Sequence, residues 1–301
     1  MIINQFNGLK NHPGYQPIRV LFNNISHSFM NYNPIIKNEF QKMVMMNQLS
    51  STVDYKIDTL PIFNKEEIQT PYIRINDGKI VIHEIFVMYL WCISFSIHTP
   101  FHKLIHEQYN INSDPYLKHQ CDELLLFANK IKTNYEVFDK NKYINPELFE
   151  QKYMDVIGYT NAMCINALNF ILCHEYNHAK FQLYNGTKQD EELADLEAIK
   201  LLKNGSKNDN EIGNRAVAGL LGLGANMLLS KYIQSNTHPD ADKRIRDFIK
   251  NIGYNDENNE LWALACYVYA FWVNEYKIDL DFKINNLNLS YEERFNYLVS
   301  Q

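Results

Sequence analysis

Residues 173–178 read Cys173-His174-Glu175-Tyr176-Asn177-His178, an H-E-x-x-H motif at the end of a long apolar run. Positions i and i+4 of an α-helix stack on one face, so His174 and His178 can offer two imidazole nitrogens to a single ion. Glu175, the next residue, points into the same cleft, where it can take a proton from water held by that ion. Zinc suits such a site, because it accepts imidazole and carboxylate ligands and keeps a position open for water. Without an ion the stretch is simply a helix with two satisfied histidines, and its surroundings decide between the readings.

Downstream, the motif helix is expected to continue through residues 179–184 and to stop at Asn185-Gly186, a C-terminal signal. Thr187, with Asp190 three residues later, resembles a capping box and predicts a second helix running to about Asn204-Gly205. Near its start stand Glu191-Glu192-Leu193-Ala194-Asp195. Glu191 and Asp195 lie one turn apart on one face, so one can bind the metal while the other orients a ligand histidine. Glu192 is the alternative ligand. Ala194 and Ala198 let this helix approach the first closely enough for a short carboxylate to reach the ion. The competing reading is an acidic first turn that merely complements the helix dipole. The longer H-E-x-x-H-x-x-G-x-x-H pattern of metzincins is excluded, because Phe181 and Tyr184 occupy its glycine and final histidine positions.

Upstream, the run 156–173 is long enough to cross a bilayer but carries Asn161, Asn166 and Asn169. The apolar runs 85–97 and 216–230 fall short of the roughly 20 residues a span needs. All three are predicted to be buried helices, so no membrane insertion is expected. Within 216–230, Gly219, Gly222 and Gly224 follow no strand and make no phosphate loop; their spacing suits helices packing on the back of the motif helix. Residues 261–273, with Trp262 and Trp272, predict another apolar helix. The first fifty residues hold no motif, although the pattern allows a helix over about 34–49, with Met43, Met45 and Met46 as apolar contacts. Residues 53–58 read as a strand, and Asp77-Gly78 between β-prone segments is a hairpin signal, which predicts a small antiparallel sheet in the N-terminal region. His83-Glu84 lacks the second histidine of a metal motif. Thr99-Pro100 is expected to start a fresh helix, on which His102 and His106 form a solvated or hydrogen-bonded face. The polar stretch 139–147 is the best boundary, dividing a mixed region, 1–140, from a helical region, 141–301, unless the two are continuous.

The net charge of −6 carries no clustered basic footprint, so no nucleic-acid partner is expected and a protein, peptide or small molecule is favoured. Five cysteines without a C-x-x-C pair read as reduced thiols rather than a disulfide framework, and the N-terminus lacks signal-peptide features, so the chain is expected to be cytoplasmic.

Thr237-His238-Pro239 and Arg244-Ile245 complete a pattern. Together with His174-Glu175-x-x-His178 and Glu191-x-x-Ala194-Asp195, they resemble the three-part signature of HtpX-like and prenyl-protein-processing gluzincin peptidases, over about residues 170–250. That resemblance implies Glu191 as third zinc ligand, Glu175 as general base, and His238 or Arg244 as a group shaping the site near substrate. A second resemblance, on His174, Glu175, His178 and overall size, is to the Lit-type phage-exclusion peptidases. It implies a cytoplasmic zinc protease, triggered by a phage peptide, that cleaves elongation factor Tu. The expected protein is therefore an α+β chain with a zincin-like, mainly helical catalytic half, acting as a zinc-dependent endopeptidase. Its site is Glu175 and His238 as catalytic groups, His174, His178 and Glu191 on Zn2+, and Asp195 and Arg244 supporting them. The alternatives are a metal-containing sensor or binding protein without catalysis, and a helical regulator with no metal.

Overall fold

The computed structural model describes residues 17–51, 53–56, 68–105, 113–133, 136–147, 151–232, 239–254, 256–278 and 289–300. A 3-10 turn at Pro17–Leu21 leads into helices α1 (Phe22–Asn31) and α2 (Pro34–Met45). Strands β1 (Asp54–Lys56), β2 (Tyr72–Arg74) and β3 (Lys79–His83) follow, and β3 runs directly into α3 (Glu84–Ile105). The remaining described elements are helices: α4 (Pro115–Ile131), α5 (Met154–Phe181), α6 (Lys188–Gly205), α7 (Asp209–Leu228), α8 (Ala241–Ile252), α9 (Glu260–Glu275) and α10 (Tyr291–Val299). The chain is a mainly helical α+β protein.

The sheet departs from expectation in one respect. β2 and β3 form the antiparallel hairpin that Asp77-Gly78 predicts, with Tyr72 opposite Val81 and Gly78 at φ +63°. β1, however, pairs with the other edge of β3 in parallel, Asp54 opposite Val81, so the sheet is mixed.

α5 is the axis of the molecule. It packs against α1, α3, α6, α7 and β2, and each of the three asparagines in its apolar run makes a hydrogen bond. Trp91 Nε1 on α3 donates to Asn161 Oδ1 (2.7 Å) and Asn169 Nδ2 donates to Ser28 Oγ on α1 (2.6 Å), while Asn166 donates to the Ala162 carbonyl. α3 and α5 are both long and apolar enough to cross a membrane by composition, and in the fold both are largely buried by other helices. The glycines of α7 are what allow close contact. A Cβ on Gly219 would meet the Phe248 ring of α8 at 2.8 Å, and one on Gly224 would meet Val268 of α9 at 2.7 Å. Gly222 lies over the Ala167 carbonyl and Ile171 of α5. α8 is amphipathic, burying Ile245, Phe248, Ile249 and Ile252 and leaving its charges outside.

Pro100 does not open a helix; it lies inside α3. The lost backbone donor is outweighed by packing, because Phe95, Ile97, Thr99 and Phe101 are all buried around it, and Ser96 Oγ ties the segment to the Cys121 carbonyl (2.8 Å) on α4. Apolar residues on both sides of 139–147 share one core, and Tyr143 and Ile144 in that stretch are buried in it. At its N-terminal edge the core encloses an ion pair, Arg19 with Glu84, both almost fully buried, with Nη2 to Oε2 at 2.9 Å. Glu84 thus has a structural partner. The five cysteines are free thiols, four of them buried.

Candidate metal centre

The C-terminal turns of α5 are fixed from several sides before any ion is considered. Tyr176 Oη donates to Glu39 Oε2 of α2 (2.9 Å), and Lys180 Nζ reaches the same oxygen (2.7 Å). The helix ends earlier than Asn185-Gly186 suggests, at Phe181. Gln182 takes the left-handed conformation at φ 55°, and the Leu183 amide returns to the His178 carbonyl (2.9 Å). A non-glycine residue in this conformation is helped by that bond, which satisfies one of the carbonyls left over at a helix end. The next helix is capped as predicted, with Thr187 Oγ1 accepting from the Asp190 amide (3.2 Å), and it ends at Gly205. Ala194 and Ala198 are fully buried where α6 meets its neighbours.

This packing brings His174, His178 and Glu191 together, with potential ligand atoms all within 4.8 Å of one another. The two Nε2 atoms are 3.0 Å apart, and the Glu191 carboxylate oxygens lie 3.2 Å from His174 Nε2 and 3.3 Å from His178 Nε2. The orientation of each ring is set from its other nitrogen. His174 Nδ1 donates to Asp195 Oδ1 (2.8 Å), and His178 Nδ1 donates to the Leu183 carbonyl (2.9 Å). Since neither acceptor can donate, both rings carry their proton on Nδ1, and both Nε2 lone pairs turn toward Glu191. Three acceptors converging in a buried place call for a positive charge among them, either a proton or a metal ion.

Glu175 stands just outside the cluster, its Oε1 4.0 Å from His174 Nε2. Burial pushes its carboxyl up from the ordinary range, against the pull of His174 and His178. Asp195 is held on its far side by Arg244 in a two-point contact, Nε to Oδ2 at 2.7 Å and Nη2 to Oδ1 at 2.8 Å. Burial alone would raise Asp195, but Arg244 and His174 hold it well below the usual carboxylate range. Two outer ion pairs also join α6 to the α8 segment: Lys188 with Asp240 (3.2 Å) and Glu192 with Lys243 (2.6 Å). Glu192 is thereby turned to the exposed side and away from the histidines. His238 lies outside the described residues, as does His106.

Burial would lower the His174 pKa, but Asp195, Glu191 and Glu175 outweigh it and push it up to about 10. Without an ion, the proton occupies the place where a metal would bind. In the metal-free protein this proton's stabilisation is complete below the unfolded histidine pKa of about 6.5 and is lost as pH rises through about 10. A metal bound at this cluster would have to displace it, so metal affinity is expected to rise with pH, by about tenfold per unit for one displaced proton. Titration of metal into the chelated protein at pH 6, 7 and 8 checks this; a flat affinity would mean that no imidazole proton is displaced.

Several supporting groups are invisible to motif reading. The Leu183 carbonyl carries no side-chain signal, and Glu39 lies far from the motif in sequence. Tyr176 stands inside the motif, but nothing local reveals that its hydroxyl reaches another helix.

A family model described as Peptidase U49 matches residues 80–265, more than half of the chain and inclusive of every residue of the cluster. No curated protein and no solved structure matches the chain.

Proposed function

The chain belongs to the peptidase U49 family, a family of peptidases of the Lit type, and from that premise we propose that it is a zinc-dependent endopeptidase with Glu175 as its general base. The observation that carries this reading is the convergence of two Nδ1-protonated imidazoles and the Glu191 carboxylate on one buried point, with a second carboxylate beside it. Two neutral imidazole nitrogens and one carboxylate oxygen are a donor set that suits zinc and leaves a position open. When bound, zinc would polarise the scissile carbonyl and acidify the attacking water.

The chain's own residues supply the rest. His174, His178 and Glu191 hold the ion. Asp195, itself held by Arg244, keeps the His174 ring in the ligating tautomer, and the Leu183 carbonyl does the same for His178. Glu175 accepts a proton from the attacking water and passes it to the leaving amine, a task that a carboxyl raised by burial performs well near neutral pH. β2 packs against α5 and, among the described residues, pairs on one side with β3, so an extended substrate can align along the outer edge. His238 is retained as a group acting near substrate, on the strength of the gluzincin resemblance. The Lit-type resemblance favours a cytoplasmic role in phage exclusion, with a host translation factor as substrate and a phage peptide as trigger.

Chelation tests the metal. Dialysis against a strong chelator is expected to abolish cleavage of elongation factor Tu in the presence of phage-derived peptide, and about one equivalent of zinc is expected to restore it. Activity that survives verified metal removal would end the zinc reading.

A further inference from the structure

Helix periodicity gives each position of the motif its own direction. At about 100° per residue, His174 and His178 share one face of α5, Glu175 and Asn177 flank that face on opposite sides, and Tyr176 points to the rear. Tyr176 and Asn177 supply no ligand to the cluster. Both are nevertheless buried, and both direct a polar group at another helix.

Asn177 meets α6. Its Nδ2 donates to the Ala194 carbonyl (3.4 Å), and Ala194 stands three residues after Glu191 and directly before Asp195. The bond therefore falls in the turn of α6 that supplies both the carboxylate of the cluster and the partner of His174 Nδ1. At the rear, Tyr176 Oη and Lys180 Nζ, one turn apart, converge on the same oxygen of Glu39. Two donors spaced along one line of the helix oppose its rotation as well as its displacement. Glu39 precedes the matched region, 80–265, so this anchor comes from a part of the chain that the family match does not cover.

Three acceptors aimed at one point repel one another until a cation joins them. The helices that carry them must be held from elsewhere if the site is to be ready for an ion. We infer that Asn177, and Glu39 acting through Tyr176 and Lys180, are positioning residues of the metal centre. Asn177 sets the spacing of α5 and α6, and Glu39 sets the roll of α5, so that both Nε2 atoms and the Glu191 carboxylate converge before the ion arrives. Neither residue belongs to the cluster itself, and the inference rests on the proposed reading of that cluster as a metal site.

Zinc affinity of the folded full-length protein, measured at one pH by competition with a chromogenic chelator, separates positioning from simple stabilisation. The unfolding midpoint of each metal-free protein is recorded alongside. Asn177→Leu, close in shape but lacking the amide, is expected to weaken zinc binding about tenfold. Glu39→Ala is expected to weaken it about threefold, a smaller effect because the Glu39 side chain is 33% exposed. Glu39→Gln, which still accepts from Tyr176 and Lys180, should recover most of what Glu39→Ala loses. A residue that only stabilised the fold would lower the midpoint and leave the affinity of the folded protein unchanged. Unchanged affinity in both Asn177→Leu and Glu39→Ala, with one zinc bound by the parent, would thus overturn the inference and leave the metal site standing. A parent that binds no zinc would overturn the metal reading and this inference with it. Should Asn177→Leu fail to fold, Glu39→Ala against Glu39→Gln decides alone.

Discussion

Glu175→Gln is expected to keep its metal and to lose peptide-bond hydrolysis by about a hundred- to ten-thousandfold, the range associated with general acid–base catalysis. The substitution preserves shape and hydrogen-bonding capacity but removes the ability to take a proton. It should leave the ion-binding set intact, because Glu175 is outside the cluster that His174, His178 and Glu191 form. Folding should change little, since burial already disfavours the charged form of this carboxyl. Metal content by mass spectrometry and cleavage of the same substrate, run side by side on parent and variant, provide the check. Full cleavage by the variant would refute the role given to Glu175. A variant that holds metal and keeps its whole biological effect without cleavage would instead favour a sensor in which the ion is structural.

His178→Ala is expected to lose the ion outright at the metal concentrations that saturate the parent. Three side chains converge on the point, and the variant leaves one imidazole and one carboxylate. The effect should exceed that of Asp195→Asn, which spares all three ligands but weakens the acceptor that holds the His174 tautomer. For such an outer partner the expected loss is about 10–100-fold in metal affinity. Alanine at 178 also leaves the Leu183 carbonyl without its imidazole donor, so the end of α5 should loosen in the metal-free variant. Metal content after purification without added metal, together with competition against a chromogenic chelator, ranks the three proteins. Equal metal in His178→Ala and the parent would return these histidines to ordinary helix residues.

How much of this could be read from the chain alone depended on the range of the interaction. The motif, the cap at Thr187 and the spacing of Glu191 and Asp195 are local, set by helix periodicity, and the structure has them where periodicity puts them. The hairpin at Asp77-Gly78 is local in the same way. The errors have a common cause. Pro100 is a strong local breaker, yet it sits inside α3 because its neighbours are wholly buried. Gln182, with no glycine signal, ends α5 because the chain must turn back so that Leu183 meets His178. The parallel pairing of β1 has no local signature, since it joins Asp54 to Val81 across a long stretch of sequence. Asp195–Arg244 and Tyr176–Glu39 join residues distant in sequence, and only the packed fold reveals them.

The ion pair between Arg19 and Glu84 sets a limit on deletion mapping. A chain trimmed to the family-matched region, 80–265, would begin just before α3, and Glu84 would then be a buried carboxylate whose cation had been cut away, a loss of about 3–5 kcal/mol. The same cut would remove Ser28 from Asn169 and Glu39 from Tyr176. Truncation series should therefore show activity disappearing through loss of soluble protein, with the threshold at the 3-10 turn rather than at the motif. The smallest autonomous unit is larger than the region that holds the cluster, and an inactive fragment lacking Arg19 would say nothing about the role proposed for Glu175.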